Sequence, residues 1–312
     1  MDPIVKAALS SWDWRIDIII VLALAGTLYS RGWWRLWRRT QARKRNGRRL
    51  AEPWRYVSYM AGIFFCALAL LSPIAPLGQQ LFFMHMIQHL LLIMIAPPLL
   101  FLANPMPFIL WGLPDGLRLR IGRFLSQLLH RQSSFRYGLR KATSPGIIWM
   151  TWVVAVISWH DPNAYNAALQ YEWVHNLEHL TFFSASMIFW WHATGAGPHI
   201  HKERNLLGRI AFLIAAVPPN MLVGVVLAFV PDVAYTYYLA VPRLFAIDVL
   251  TDQKIGGVIM WIPGSMMYII AALILISRML GNESAKPRLA KEKTWANEDV
   301  LAAPGKRVNS EQ

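Results

Sequence analysis

The segment "HNLEHLTFFSASMIFWW", residues 175–191, places two histidines and a glutamate at the head of an otherwise apolar run. An apolar run of this length that ends in aromatic residues is typical of a membrane-spanning helix. His175 and His179 are four residues apart, so on a helix they project side by side from one face. The spacing H-x-x-E-H is also that of a group of zinc proteases. Both the surrounding fold and the ligand of these histidines therefore need to be identified.

The composition of the whole chain is that of a membrane protein. Of the 312 residues, 55% are hydrophobic and only 15% are charged, and the mean hydropathy is +0.35, which excludes an ordinary soluble domain. The single cysteine, Cys66, lies inside an apolar run, which excludes an internal disulfide and a cysteine-based metal cluster. Any metal chemistry would therefore depend on histidine, methionine and carboxylate side chains.

Seven apolar segments are long enough, with their flanking anchors, to cross a membrane as helices. They cover residues 18–34, 57–76, 82–103, 147–159, 173–191, 206–230 and 257–280. We therefore predict an all-α, polytopic membrane protein built as a bundle of seven transmembrane helices.

The basic residues alternate between successive connections. The loops 35–56 and 104–146 are rich in Lys and Arg, whereas the connections 77–81 and 160–172 contain none. Cytoplasmic loops carry the excess of Lys and Arg, so we expect the N-terminus outside and the C-terminus in the cytoplasm. We expect these loops to contact membrane lipids and not nucleic acid.

This topology divides the chain into three parts. Residues 1–17 form an outer N-terminal segment, residues 18–280 form the membrane domain, and the polar residues 281–312 form a cytoplasmic tail that we expect to be mobile. The first fifteen residues lack a signal-peptide pattern, so we expect the first apolar run to be retained. The sequence does not decide between a monomer and a homo-oligomer.

The topology also places most of the chemically active side chains in one leaflet. His85 and His89 lie near the outer end of the third span, and His175 and His179 lie at the matching depth of the fifth. Two opposed H-x-x-x-H faces would bring four imidazoles together, and ionisable groups inside a bilayer are usually functional. The predicted metal ligands are His85, His89, His160, His175, His179, Met86 and Asp252. We assign the other histidines to helix contacts or solvated loops, namely His130, His192, His199 and His201.

Ligand chemistry favours copper at this site. Imidazole with the thioether of Met86 suits Cu(I), whereas a carboxylate would suit Cu(II) or zinc. We expect Glu178 and Met84 to support the site from its edge, with Glu178 able to orient an imidazole, accept a proton or ligate directly. We therefore predict one or two copper ions, with zinc as the alternative.

Three segments together resemble the CtaG family of cytochrome c oxidase assembly factors. They are "MHMIQHLLLIMIAPPLLFL" (84–102), the segment 175–191 and "DQKIGGVIMWIPG" (252–264), in that order. The resemblance implies a non-enzymatic role in maturing a caa-type oxidase in the bacterial cytoplasmic (inner) membrane. It extends to His85, His89, His175, Glu178, His179 and Asp252, but not to the methionines or the first two spans.

Combined with the ligand chemistry, this resemblance favours a copper carrier whose site faces the periplasmic, or outer, side. Its partners would be oxidase subunits or another copper carrier. Three alternatives stay open at this point: an intramembrane zinc hydrolase with Glu178 as its base, a haem protein with axial imidazoles, and a scaffold braced by its histidines.

Overall fold

The computed structural model describes residues 10–42, 51–130, 132–196, 200–201 and 205–284. These ranges are helical, with turns between the helices and no β-strand, so the prediction of an all-α fold is confirmed for them. His199, the first nine residues and the tail beyond residue 284 lie outside the described residues.

Fifteen α-helices and one π-helical segment follow one another in the described ranges. They are α1 (Ile16–Ala42), α2 (Pro53–Leu71), α3 (Ile74–Gly78), α4 (Phe82–Leu90), the π segment (Leu91–Ile95), α5 (Ala96–Leu102), α6 (Pro105–Gly112), α7 (Asp115–Leu128), α8 (Ser134–Ala142), α9 (Pro145–Trp159), α10 (Pro162–Gln170), α11 (Glu172–Thr194), α12 (Leu206–Ile214), α13 (Val217–Phe229), α14 (Tyr237–Ala240) and α15 (Val249–Ser284).

Five of these helical stretches are long and apolar enough to cross a membrane, which makes the chain a multi-pass membrane protein. They cover Ile16–Arg39, Pro53–Leu71, Phe82–Leu102, Leu206–Phe229 and Val249–Gly281. A sixth candidate combines α8 and α9, which meet at an angle of 50°. Helix α11, expected as the fifth of seven spans, is not among them although it has 23 residues. Its histidines, glutamate and hydroxyl side chains lower its hydropathy.

The third expected span is deformed by its prolines. Pro97 has no N–H to donate to the carbonyl of Ile93, and the helix passes through the π segment just before this point. The Ile93 carbonyl instead accepts hydrogen bonds from Ser186 Oγ and from Trp190 Nε1, the latter at 2.9 Å. The deformation therefore ties this span to α11.

The sixth expected span breaks between α12 and α13, where Pro218 and Pro219 interrupt the helical hydrogen bonds. Asn220, directly after them, donates from Nδ2 to the Met260 carbonyl at 3.0 Å. Met260 lies in the turn of α15 that precedes Pro263. The two distorted regions are thus joined by one buried amide.

Helices α13 and α15 pack backbone to backbone through glycines. A Cβ atom on Gly224 would lie 2.6 Å from the Trp261 nitrogen, and one on Gly257 would lie 2.5 Å from the Ala228 nitrogen. The N-terminal part of α15 in turn packs along α4. This contact places Asp252 beside the start of α4. The sequence placed Asp252 before the seventh span, but α15 begins at Val249, so Asp252 lies in its first turn.

Candidate metal centre

The two histidine pairs face each other across the bundle. Each pair projects from one side of its helix because its members are four residues apart. The ring centroid of His85 lies 5.4 Å from that of His175 and 5.9 Å from that of His179. The rings of His89 and His179 are also 5.4 Å apart. Helices α4 and α11 thus bring four imidazoles together.

Four side chains converge closely enough to share one ion. One ligand atom from each of His85, His175, Glu178 and His179 lies within 4.8 Å of the others. We call these four residues the His3Glu group. The carboxylate of Glu178 points between the imidazoles of α4, with its oxygens 3.7 Å from His85 Nε2 and 3.6 Å from His89 Nε2.

Five buried polar atoms of the His3Glu group have no hydrogen-bond partner in the described part of the chain. His85 and Glu178 are fully buried. Both carboxylate oxygens of Glu178, Nδ1 of His85 and Nε2 of His175 and His179 have no such partner in the described part of the chain. Buried polar atoms are normally paired, and leaving them unpaired costs about 1–3 kcal/mol each, more for a charged group. A bound cation would satisfy these atoms together, so the donor set fits a metal ion.

His89 lies against this group without belonging to it. Its Nε2 atom is 2.9 Å from Nε2 of His85, so one ring donates a hydrogen bond to the other. Such a contact fixes the orientation of an imidazole ring. His89 therefore holds the ring of His85 in place.

His160 occupies a neighbouring position. It caps the end of α9, where Nδ1 lies 2.7 Å from the Val156 carbonyl, and its own carbonyl accepts a hydrogen bond from Tyr235. His160, His89 and Met86 line a cavity of about 40 Å³. His160 is therefore adjacent to the His3Glu group and outside it.

The two methionines pack among apolar and aromatic side chains. Met86 is 3% exposed and packs into an aromatic cluster that includes Phe82 and Tyr165, and it approaches Gly256 on α15. Met84 packs against Leu77 and other apolar side chains on a different side of α4. Successive residues are rotated by about 100° on a helix, so neither methionine follows the direction of His85. Neither methionine is among the four residues of the His3Glu group.

Asp252 anchors the helix that carries His85 and His89. Its carboxylate accepts hydrogen bonds from the backbone nitrogens of Phe82 at 3.0 Å and Phe83 at 2.9 Å. These N–H groups belong to the first turn of α4 and have no partner within that helix. Arg243 Nη2 donates to the same carboxylate at 2.8 Å. Asp252 thus positions α4 and lies outside the His3Glu group.

Arg243 and the tyrosines around the centre were not identified from the sequence. Tyr165 packs on His85 with ring centroids 5.2 Å apart, and its hydroxyl is 3.1 Å from that of Tyr238, which donates to the Gly78 carbonyl. Burial raises the pKa of the Tyr165 and Tyr238 hydroxyls, so both stay protonated. The only feature of the sequence that pointed to these tyrosines was their frequency in the connections expected outside. Together they exclude water from one side of His85.

The remaining described histidines lie elsewhere. His192 follows His179 by 13 positions on α11, which corresponds to about 20 Å, and its ring lies 5.1 Å from that of His201. Nε2 of His201 lies 2.8 Å from Thr143 Oγ1. His130 is exposed in the segment between α7 and α8. These histidines are separate from the His3Glu group.

The fold and the site together define a multi-pass helical membrane protein with a buried cluster of imidazoles and one carboxylate. The chain belongs to the family of cytochrome c oxidase caa3 assembly factors (Caa3_CtaG), whose family model matches residues 27–282. The match confirms the family that the motifs indicated. It also includes the second expected span and about half of the first, to which the motif resemblance did not extend.

Curated relatives are considerably longer than this chain. An uncharacterised protein of Mycobacterium leprae is 26% identical over 267 residues, which cover 82% of this chain and 39% of that protein. An uncharacterised protein of Mycobacterium bovis is 25% identical over 239 residues, which cover 74% of this chain and 35% of that protein. No solved structure matches the chain.

Proposed function

We propose that the His3Glu group binds copper as cargo and that the protein delivers this copper to subunits of the oxidase during assembly. The observation that carries the proposal is the convergence of four ligand atoms within 4.8 Å of one another, in a buried site where most of them have no other partner. Family membership supports oxidase subunits as the client, because the family is one of cytochrome c oxidase assembly factors. The protein acts in this proposal as a carrier and not as an enzyme.

The donor set favours the divalent ion. Three imidazoles and a carboxylate suit Cu(II) or zinc, and sites of this kind bind Cu(II) more tightly than zinc. The four residues of the group include no thioether of the kind that would select Cu(I), and Met86 packs against Phe82 and Gly256. We therefore infer one Cu(II) ion per chain, with zinc as the competing metal.

The arrangement of His89 supports transfer as well as storage. Delivery requires ligands that exchange, because a permanently closed site would not release its metal. His89 Nε2 lies 2.9 Å from His85 Nε2 and 3.6 Å from a Glu178 oxygen. It therefore offers a fifth donor that can replace a departing ligand one bond at a time.

We also propose the seven-span topology, with the N-terminus outside, the C-terminus cytoplasmic and the metal centre at the periplasmic face. The alternation of basic connections supports this orientation. The histidines lie at the start of α4 and of α11, whereas the basic stretch 104–146 follows the opposite end of the third span. Helix α11 would be the fifth span along the chain and would bring the number of spans to seven, with its polar face turned to the centre.

Two other functions fit the geometry less well. A zinc hydrolase needs a general base beside an accessible water, but Glu178 is fully buried and lies 3.6–3.7 Å from imidazole nitrogens. A haem needs space for its macrocycle between or beside the axial ligands, but the imidazoles touch each other and the adjacent cavity holds about 40 Å³.

Elemental analysis of the untagged protein tests the proposal. We expect about one copper per chain after purification from copper-supplemented cells, and loss of that copper in His85→Ala and His179→Ala. The matched control is His130→Ala, which removes an exposed imidazole far from the group and should keep full occupancy. Full copper in both ligand variants would contradict the proposal, and stoichiometric zinc or a Soret band in the wild type would favour one of the other functions.

A further inference from the structure

A second, larger cavity lies at the end of the bundle opposite the metal centre. Its volume is about 360 Å³, within the range of small-molecule sites. It lies among α5, α11, α12 and α15, and most of its wall is apolar, including Leu99, Leu213 and Ile274. Ala193, also in the wall, follows His179 by 14 positions on α11, or about 21 Å. The cavity is therefore separate from the His3Glu group.

Two arginines line this apolar cavity. They are Arg209 near the start of α12 and Arg278 near the end of α15. None of the residues that line the cavity is acidic, and no ion pair joins either guanidinium to a carboxylate within the described ranges. Arg209 is partly buried and Arg278 is exposed, and an anion bound between these two like charges would offset their repulsion.

The guanidinium of Arg209 is held in place by the end of α11. Its Nε donates to the Ala193 carbonyl at 2.8 Å. The chain turns away at Gly195 with a φ of 64°, and a Cβ there would lie 2.9 Å from Arg209 Nη1. The turn that only glycine adopts easily thus leaves room for this arginine. Arg209 is fixed at the cavity and is not a freely moving surface side chain.

We propose that this cavity binds one anionic phospholipid, with its phosphate between Arg209 and Arg278 and an acyl chain along the apolar wall. The shape and charge match such a ligand, because one end is cationic and the remainder is hydrocarbon-like. Basic pockets between transmembrane helices on the cytoplasmic side recognise anionic headgroups. The occupant is a lipid of the surrounding leaflet, which reaches the cavity from the bilayer without crossing it.

Native mass spectrometry of the full chain, delipidated in detergent and titrated with phosphatidylglycerol, tests the proposal. We expect one tightly retained phosphatidylglycerol and weak retention of phosphatidylcholine. Arg209→Gln and Arg278→Gln should each weaken retention about fivefold, the effect of one cation near an anionic headgroup. Ala271→Phe places bulk in the cavity and should abolish retention. Arg120→Gln changes an exposed arginine on α7 and should have no effect.

Three results of this experiment would contradict lipid binding in the cavity. Equal retention of both lipids, unchanged retention in Ala271→Phe, or displacement of the lipid by millimolar inorganic phosphate alone would each overturn the proposal. Copper content and thermal unfolding of every variant are measured in parallel, so that a misfolded variant is recognised. If Ala271→Phe fails to fold, the two arginine variants and the phosphatidylcholine comparison still decide. The test does not depend on metal binding at the His3Glu group.

Discussion

Replacing Asp252 tests whether this residue positions the proposed metal centre or binds the metal itself. In Asp252→Ala, the first-turn nitrogens of Phe82 and Phe83 lose their acceptor, and Arg243 loses its partner. Helix α4 would then be free to shift at the end that carries His85. Asp252→Asn is the milder change, because its side-chain oxygen still accepts one of the backbone hydrogen bonds.

The size of the effect follows from the contacts. Removing one partner of a buried ion pair costs about 3–5 kcal/mol. Asp252 is fully buried, but the Arg243 side chain is 22% exposed and recovers part of its hydration. We therefore expect the free energy of unfolding to fall by about 3 kcal/mol in Asp252→Ala. In Asp252→Asn, where the lost charge weakens the hydrogen bonds, we expect about half that value.

The assay combines thermal unfolding in detergent, without metal, with copper affinity by chelator competition. A positioning role predicts that Asp252→Asn is destabilised yet binds copper within about tenfold of the wild type, the lower range for changes outside the ligand set. Asp248→Asn changes an exposed carboxylate just before the same helix and serves as the control. Loss of copper binding with unchanged stability in Asp252→Asn would refute this reasoning and make Asp252 a ligand.

Three further changes test other parts of the site. Glu178→Gln removes the only negative charge of the His3Glu group. Because an amide is a poorer ligand than a carboxylate, copper affinity measured by chelator competition should fall by at least about tenfold. Unchanged affinity would exclude Glu178 from the ligands. Met86→Leu preserves volume, so it should leave copper affinity unchanged and lower the free energy of unfolding by less than about 1.5 kcal/mol. A large loss of copper affinity would make Met86 a ligand. Ser186→Ala leaves the Ile93 carbonyl with Trp190 alone and should cost about 1 kcal/mol; unchanged stability would show that Trp190 satisfies that carbonyl without help.

Much of the fold followed from patterns that are local in the chain. Long apolar runs predict helices because every backbone group in a bilayer must be bonded within its own segment. The two H-x-x-x-H spacings predicted that each pair shares a helix face. The alternation of basic and non-basic connections predicted that the two pairs lie at the same depth in the membrane. The structure brings these pairs together, with His85 and His179 at 5.9 Å between ring centroids.

Other features depended on contacts that no local pattern contains. The direction of Met86 is set by the packing of α4 on α15, which Gly256 allows, and the sequence shows only that it is next to His85. The role of Asp252 depends on Arg243 and on the start of a helix 170 positions away. Hydropathy alone also does not fix the number of spans, because the polar side chains of the His3Glu group lower the hydropathy of α11.

Copper K-edge X-ray absorption of the untagged, copper-loaded protein tests the central claim most directly. The account predicts nitrogen and oxygen neighbours at about 2.0 Å with the outer scattering of imidazole, and no sulfur neighbour at about 2.3 Å. The same spectrum should lose imidazole scattering in His175→Ala, and His130→Ala should leave it unchanged. A sulfur neighbour, or an imidazole signal unaltered in His175→Ala, would contradict binding by the His3Glu group.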